Sequence, residues 1–215
     1  EVFRSIIEPV TASGFNGIFL VATNPVDIMT RITCTLSGFN PRRVLGSGTA
    51  LDTARLRYLL GEYLKVDPRN VHAYVMGEHG DSEFAPWSQA LLATKPILEL
   101  CGENDAVCRE RLVQIEEEVR TAAYKIIEAK NATYYGIGMA LTRITKAILG
   151  DEHSVLTVSA MMRGDFGQRD VFVGAPCIIN QNGIQKVLPL SLTDEEMEKM
   201  NKSCDTLRES FEGIF

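Results

Sequence analysis

Two segments of the chain carry residue types that can move a proton and hold an anion. Leu51-Asp52-Thr53-Ala54-Arg55 sets an aspartate and an arginine three positions apart, and Gly77-Glu78-His79-Gly80-Asp81-Ser82 sets a histidine between glycines. On a helix, positions i and i+3 lie about 60° apart, so Asp52 and Arg55 can face one cleft. A carboxylate bonded to Nδ1–H of an imidazole fixes its tautomer and favours the imidazolium, which can then protonate a carbonyl oxygen. An arginine fork holds a carboxylate bidentately and fixes its orientation. Taken alone, Asp52 and Arg55 equally suit a surface ion pair, and His79 a structural histidine. The setting of His79 joins them. Glycines at 77 and 80 let the backbone turn, and Glu78, Asp81 and Ser82 crowd polar groups at the end of an apolar run. A metal held by Glu78, His79 and Asp81 is the rival reading. Neither His72 nor His153 stands at a usual second-ligand spacing, so no metal is expected.

Two further positions carry chemistry less directly. Asn24 follows an apolar run and precedes Pro25. It suits either a turn or a bond to a reacting oxygen or cofactor amide at the carboxyl end of a buried strand. Arg57 lies about 200° around the helix from Arg55 and cannot serve the same cleft. It reads as a solvated arginine, or with His72 as a second anion site.

The elements that must position these residues follow from hydrophobic spacing. Residues 3–12 read as the end of an amphipathic helix stopped by Ser13-Gly14. The run 17–22 is continuous and apolar, as in a strand buried on both faces of a parallel sheet. A helix over 27–36, a brief strand over 43–47 and a helix over 51–64 complete a strand–helix alternation typical of an open α/β sheet. Past Lys65 the pattern changes. Strands are expected over 71–76 and 84–92, a long helix over 105–130 with acidic Glu116 and Glu117 opposite its apolar seam, and another helix over 135–149. Three strands follow, near 154–162, 171–179 and 184–189, the last two joined by Asn180-Gln181-Asn182-Gly183 as a hairpin turn. Thr193 and Glu196 form a capping box opening the final helix, whose seam is Met197, Met200, Cys204, Leu207 and Phe211. The fold class is therefore α/β: the C-terminal part of a Rossmann-type parallel sheet over 1–65, followed by an α+β substrate domain with antiparallel strands over 66–215.

Composition bounds the partners. The 215 residues are 45% hydrophobic and 23% charged, the ordinary globular range, and are enough for one large domain or one domain and part of another. A net charge of −6 argues against a nucleic-acid or anionic-membrane surface. The uncharged stretch 9–26 contains two prolines and two asparagines and is not a membrane span. The five cysteines (Cys34, Cys101, Cys108, Cys177 and Cys204) are scattered without a CxxC pair, and read as buried free thiols of a reducing, cytoplasmic setting. Glu1 is not an initiator methionine, and an authentic N-terminus upstream is expected.

At Val21 to Asp27, Val44 to Thr49 running into Leu51 to Arg57, Met76 to Ser82 and Asn131 to Ile137, the sequence resembles the lactate/malate dehydrogenase family, and within it the bacterial L-lactate dehydrogenases. The resemblance implies NAD as cofactor and pyruvate and L-lactate as substrates, in glycolysis and fermentation. It makes His79 the acid/base, Asp52 its partner and Arg55 the carboxylate clamp, with Asn24 and Thr133 contacting substrate. Ala22, Thr23, Asn24, Ser47 and Ile137, and more weakly Ser5, match positions lining the nicotinamide. Arg57 and His72 match positions that bind fructose 1,6-bisphosphate in allosteric members, and a homotetramer is implied. The alternatives are a malate or branched L-2-hydroxy acid dehydrogenase of the same family, a metal-dependent hydrolase, or a non-catalytic oligomerisation fragment. The family's GxGxxG turn, acidic ribose ligand and mobile substrate loop have no counterpart in the sequence. The chain alone is therefore expected to reduce pyruvate at least about a thousandfold more slowly than a full-length member, roughly 4 kcal/mol of lost transition-state stabilisation. NADH oxidation by the purified 215-residue chain measures this, and turnover equal to a full-length member contradicts it.

Overall fold

The computed structural model describes residues 1–101 and 105–212. In chain order its elements are α1 (Val2–Ala12), β1 (Phe19–Val21), α2 (Val26–Ser37), β2 (Val44–Gly46), α3 (Ala50–Leu64), β3 (Val71–His72), β4 (Leu91–Leu92), β5 (Lys95–Pro96), α4 (Ile97–Leu100), α5 (Ala106–Lys130), α6 (Tyr135–Leu149), β6 (Ser154–Arg163), β7 (Arg169–Asn180), β8 (Gly183–Val187) and α7 (Asp194–Glu212). Helix ends follow local chemistry. Gly38 and Lys65 adopt left-handed backbone after α2 and α3, where their amides close the last turn. The Asp105 side chain accepts from Cys108 N at 3.0 Å and opens α5. Thr193 and Glu196 exchange backbone-to-side-chain bonds at 3.0 and 3.3 Å, the reciprocal cap expected of their spacing.

The main sheet runs β1-β2-β6-β7-β8. β1 and β2 are parallel, with Phe19, Leu20 and Val21 opposite Val44, Leu45 and Gly46. β2 then meets β6 antiparallel at Gly46 and Ser159, so the parallel pair and the antiparallel meander share one sheet. α2 and α7 pack on this sheet, and their apolar faces close the larger core around Leu45, Met162, Val173 and Met200. A second core lies between α3, α5 and the β3 region, around Leu56, Leu60, Ile97, Leu112 and Ile115. Among the described residues no helix is long and apolar enough to cross a membrane.

The region from 71 to 92 departs from expectation. Instead of two long strands the chain forms the two-residue β3 and β4, with a single turn of 3-10 helix at Trp87–Gln89. The physical reason lies in α3. Val75 N donates to Thr53 Oγ1 at 2.9 Å, and Thr49 Oγ1 donates to Val75 O at 2.6 Å. Two threonine hydroxyls thus satisfy the buried backbone that a strand neighbour would otherwise pair. Thr157 of β6 joins this network, 2.8 Å from Thr53 Oγ1 and donating to Thr49 O at 3.1 Å. Further along, Pro86 supplies no amide for a ladder.

Two other expectations are corrected. Glu116 does not lie on a solvated face of α5, because it accepts from Trp87 Nε1 at 2.8 Å. Nor are all five cysteines free. Cys101 and Cys108 form a disulfide, while Cys34, Cys177 and Cys204 are free and buried. The start of α5 folds back over the end of α4 within the second core, bringing the two Cα atoms to 5.3 Å.

One contact ties the His79 segment to the main sheet. Gly77 and Gly174 of β7 exchange both backbone bonds, at 3.0 and 2.9 Å. Gly77 has φ +93°, open to glycine at little cost, and a Cβ on Gly174 would sit 2.7 Å from Gly77 O and 2.8 Å from Thr49 Oγ1. Gly174→Ala is therefore expected to destabilise the protein by about 1–3 kcal/mol through overpacking. Chemical denaturation measures the change, and an unaltered midpoint would contradict the close approach.

Candidate active site

Three elements deliver side chains or backbone to His79. α3 presents Asp52 on its buried face, and Asp52 Oδ2 lies 2.7 Å from His79 Nδ1. The other oxygen, Oδ1, accepts from Arg55 Nη1 at 3.1 Å. One buried carboxylate therefore joins the imidazole to the guanidinium, as the spacing of three residues permits. α2 contributes from its first turn: Asp27 Oδ2 accepts the His79 backbone N–H at 2.9 Å. The segment carrying His79 is held from behind by α7, where Ser203 Oγ accepts from Glu78 N at 3.1 Å and donates to Ser82 O at 2.7 Å.

A second carboxylate faces the ring. Glu83 Oε2 lies 3.9 Å from His79 Nδ1 and is as buried as Asp52. Asp52, His79 and Glu83 are close enough to share a cation, with candidate ligand atoms within 4.8 Å of one another. The trio weighed as the rival metal reading, Glu78, His79 and Asp81, is turned apart. Glu78 accepts from the Ser82 hydroxyl, and Asp81 from Tyr124 at 3.1 Å.

The electrostatics follow from burial and these contacts. Burial opposes a charge on His79, but its contacts with Asp52 and Glu83 outweigh it and lift the imidazole from 6.5 to about 10. Burial pushes Asp27 up from 3.8 to about 6, against the Ser159 hydroxyl, the His79 amide and the His79 charge. Burial likewise raises Glu83, with His79 and Arg120 opposing. The His79 side chain remains 25% exposed and Arg55 18%. With Nδ1 facing carboxylates, Nε2 is the nitrogen left for a ligand.

The other candidate residues are placed unevenly. Ala22, Thr23 and Asn24 follow the carboxyl end of β1, and Ser47 follows that of β2, with Ser47 N bonded to Val21 O at 2.8 Å. Asn24 and Thr23 are exposed, and Asn24 stands three residues before Asp27, so this rim adjoins His79 through the start of α2. Thr133 and Ile137 flank the start of α6, which packs on α3: a Cβ on Gly136 would lie 3.2 Å from Leu51, the neighbour of Asp52. Ser5 is exposed on α1 and donates to Val2 O at 2.8 Å, with no contact to the cluster among the described residues. Arg57 points away, as its position on the helix requires. Its Nε donates to Ala73 O at 3.0 Å and its guanidinium lies 5.1 Å from the Tyr74 ring. It borders a cavity of about 400 Å³ that Arg69 and Arg143 also line. His72 is exposed on β3, one residue from the carbonyl that Arg57 holds.

Sequence reasoning gives no role to Asp27 or Glu83. Both leave a signal: an aspartate in the first turn of the helix after Asn24-Pro25, and a glutamate four residues past His79.

Comparisons with known proteins point to one family. Residues 49–215 match the family model for the lactate/malate dehydrogenase alpha/beta C-terminal domain, and residues 1–46 that for the lactate/malate dehydrogenase NAD binding domain. The chain is 51% identical over 214 residues to L-lactate dehydrogenase 2 of Bacillus anthracis, covering 100% of this chain and 68% of that protein. It is 54% identical over 207 residues to L-lactate dehydrogenase of Geobacillus stearothermophilus, covering 96% and 65%. Among solved structures, the minor L-lactate dehydrogenase from Enterococcus mundtii in the ligands-bound form superposes with a TM-score of 0.96 at 45% identity, over 100% of this chain and 68% of that one. The chain thus spans about two thirds of the length of these relatives.

Asp27 sets the backbone of the site. Asp27→Ala leaves the His79 amide without an acceptor and is expected to cost about 1–3 kcal/mol. Asp27→Asn keeps an acceptor and removes a buried charge, so it should cost less. Urea unfolding of both variants measures the difference, and an equal loss in the two would contradict the role of this hydrogen bond.

Proposed function

The chain belongs to the lactate/malate dehydrogenase family, and from that premise we propose that it acts as an NAD-dependent L-lactate dehydrogenase, with His79 as acid/base. The observation that carries the assignment is the 2.7 Å contact of buried Asp52 with His79 Nδ1, which leaves Nε2 to exchange the proton. In pyruvate reduction, protonated His79 gives the Nε2 proton to the carbonyl oxygen. In lactate oxidation, neutral His79 takes it back. Asp52, 2.7 Å from Nδ1, holds the ring orientation and faces the positive charge. Arg55 presents the rest of its guanidinium to the substrate carboxylate and fixes which face of the carbonyl carbon is offered.

The rim beyond β1 and β2 fits the nicotinamide end of NAD by its chemistry. Small Ala22 and Ser47 leave room, and the exposed Asn24 carboxamide can pair with an amide or a carbonyl oxygen. Thr23 and Ile137 would line the same end, Ser5 more remotely, and Thr133 the far side of the substrate. NADH, when bound, supplies the hydride for which His79 supplies the matching proton.

Finer readings follow the same premise. Lactate over malate or a branched 2-hydroxy acid rests on relatives named L-lactate dehydrogenase. A homotetramer is supported by exposed Tyr135, Met139 and Leu149 along α6, an apolar face suited to a second copy. Arg57 and His72 remain the residues for an activating fructose 1,6-bisphosphate. A cytoplasmic setting loses the support of five free thiols to the Cys101–Cys108 disulfide and rests on family membership. The chain divides into a nucleotide-binding part over 1–65, which also carries Asp52 and Arg55, and a substrate part over 66–215 that carries His79.

The pH dependence tests the mechanism. Because the His79 pKa is raised, the imidazolium needed for pyruvate reduction persists well above 6.5 and is lost as pH rises toward about 10. Lactate oxidation needs the neutral ring and gains over the same span. Asp52→Asn removes the compensating charge while burial remains, so the fall in pyruvate reduction should move to lower pH by more than about one unit. Profiles of kcat/KM in both directions on the full-length gene product measure this. A fall that Asp52→Asn leaves in place would overturn the assignment.

A further inference from the structure

The imidazole of His79 is flanked by more negative charge than one catalytic partner supplies. Asp52 divides its two oxygens between His79 Nδ1 and Arg55. Glu83, four residues past His79 and 4% exposed, has no such division. Its Oε2, like Asp52 Oδ2 and His79 Nδ1, makes no hydrogen bond of good geometry among the described residues, so its place beside the ring rests on distance. Arg120 of α5 donates to its backbone carbonyl at 3.2 Å rather than to its carboxylate. A buried carboxylate without a partner is costly and persists where a cation compensates it. The nitrogen facing Oε2, at 3.9 Å, is His79 Nδ1.

We propose that Glu83 is a positioning residue for the proton transfer, a second carboxylate that, with Asp52, keeps the Nδ1–H of His79 turned inward and holds the imidazolium. The consequence for turnover rests on the dehydrogenase reading above. The effect on His79 itself does not. Because Asp52 is shared with Arg55, substrate binding at Arg55 draws on the same carboxylate that holds the ring. Glu83 is not shared with Arg55, its carboxylate facing His79 with Arg120 behind it, and it keeps the proton in place while Arg55 engages the substrate. Its backbone is held on both sides. Glu83 N donates to Gly80 O at 3.3 Å, and the Arg120 that binds its carbonyl is itself braced by Glu117 at 2.6 Å and Glu116 at 3.5 Å.

The other charged groups around the ring are accounted for. From α2, Asp27 bonds the His79 amide rather than the ring. From α3 come Asp52 and Arg55. From α5, Arg120 and Glu116 face Glu83 and Trp87, and Tyr124 holds Asp81. From α7, Lys199 and Lys202 border the cavity beside Asp81 and Glu83. In the loop itself, Glu78 is bonded to Ser82. The raised pKa of His79 draws on both Asp52 and Glu83, in keeping with this geometry.

Nitrogen-15 correlation spectra of the imidazoles, recorded against pH on the full-length gene product, test the proposal without cofactor or turnover. His79 is assigned by the signal missing from His79→Asn. In Glu83→Gln the apparent pKa of His79 should fall by at least about one unit, a tenfold change in proton affinity, with His72 and His153 unmoved. Glu83→Asp, which keeps the charge, should recover at least half of that shift. In the unsubstituted protein, the carbon-13 signal of the Glu83 carboxyl should show a step at the pH where His79 loses its proton, a readout that needs no variant to fold. A His79 titration unchanged in a folded Glu83→Gln, or a Glu83 carboxyl signal blind to the deprotonation of His79, overturns the proposal. A shifted titration in a protein that reduces no pyruvate would overturn the dehydrogenase reading and leave the role of Glu83 standing.

Discussion

The contact between buried Asp52 and His79 is the constraint on which the rest of the site depends. A carboxylate 2% exposed is tolerable only when its charge is compensated, and Asp52 meets a nitrogen at each oxygen. Both compensations require α3 to sit at a fixed depth and rotation. Thr53 and Thr49, on and just before that helix, lock it to the 73–77 segment and to β6 through hydroxyls. The same network that replaces a strand pairing for Val75 therefore also fixes Asp52. The imidazole is brought to meet it by backbone rather than side-chain contacts: Asp27 takes the His79 amide, and Gly77 is laced to Gly174 two residues earlier. A polar tether from α2, a glycine contact from β7 and a carboxylate from α3 converge on one residue.

The charge arrangement carries a cost in stability that follows pH. His79 has a folded-state pKa above its ordinary value, so its stabilisation is complete below about 6.5 and lost as pH rises through about 10. Asp27 is also raised, so its favourable contribution belongs below its ordinary 3.8 and is lost as pH rises through about 6. Near neutrality the protein keeps the first and has lost the second. The buried Asp27 carboxylate is held at the expense of folding stability, in a place where its lone pair fixes the histidine backbone. Stability is given up where it positions the proton donor, a pattern expected of functional sites.

How much of this is legible in the sequence depends on the range of the interaction. Helices α2, α3, α5 and α6 and the hairpin at Asn180–Gly183 follow local spacing and turn chemistry, and they sit where the sequence places them. The i, i+3 geometry of Asp52 and Arg55 is equally local, and it holds. The 71–92 region misleads because its apolar residues are buried by the second core and by threonines about twenty residues away, which periodicity cannot see. Glu116 reads as solvated because helical spacing marks a face, not the Trp87 that reaches across to it. The Cys101–Cys108 pairing depends on how α5 folds back on α4. Asp27 and Glu83 go without roles for the same reason. Each is an ordinary acidic residue until the tertiary fold buries it against His79.

The central claim is that His79 is the group that exchanges the proton. Pyruvate-dependent NADH oxidation by His79→Asn, compared with the unsubstituted full-length gene product near pH 7, tests it most directly. Asparagine keeps the backbone amide that Asp27 holds and a polar group beside Asp52, but cannot donate a proton of comparable acidity. The account predicts a fall in kcat of about 10²–10⁴, the range that positioned acid–base groups contribute. Turnover within a few-fold of the unsubstituted enzyme would contradict it.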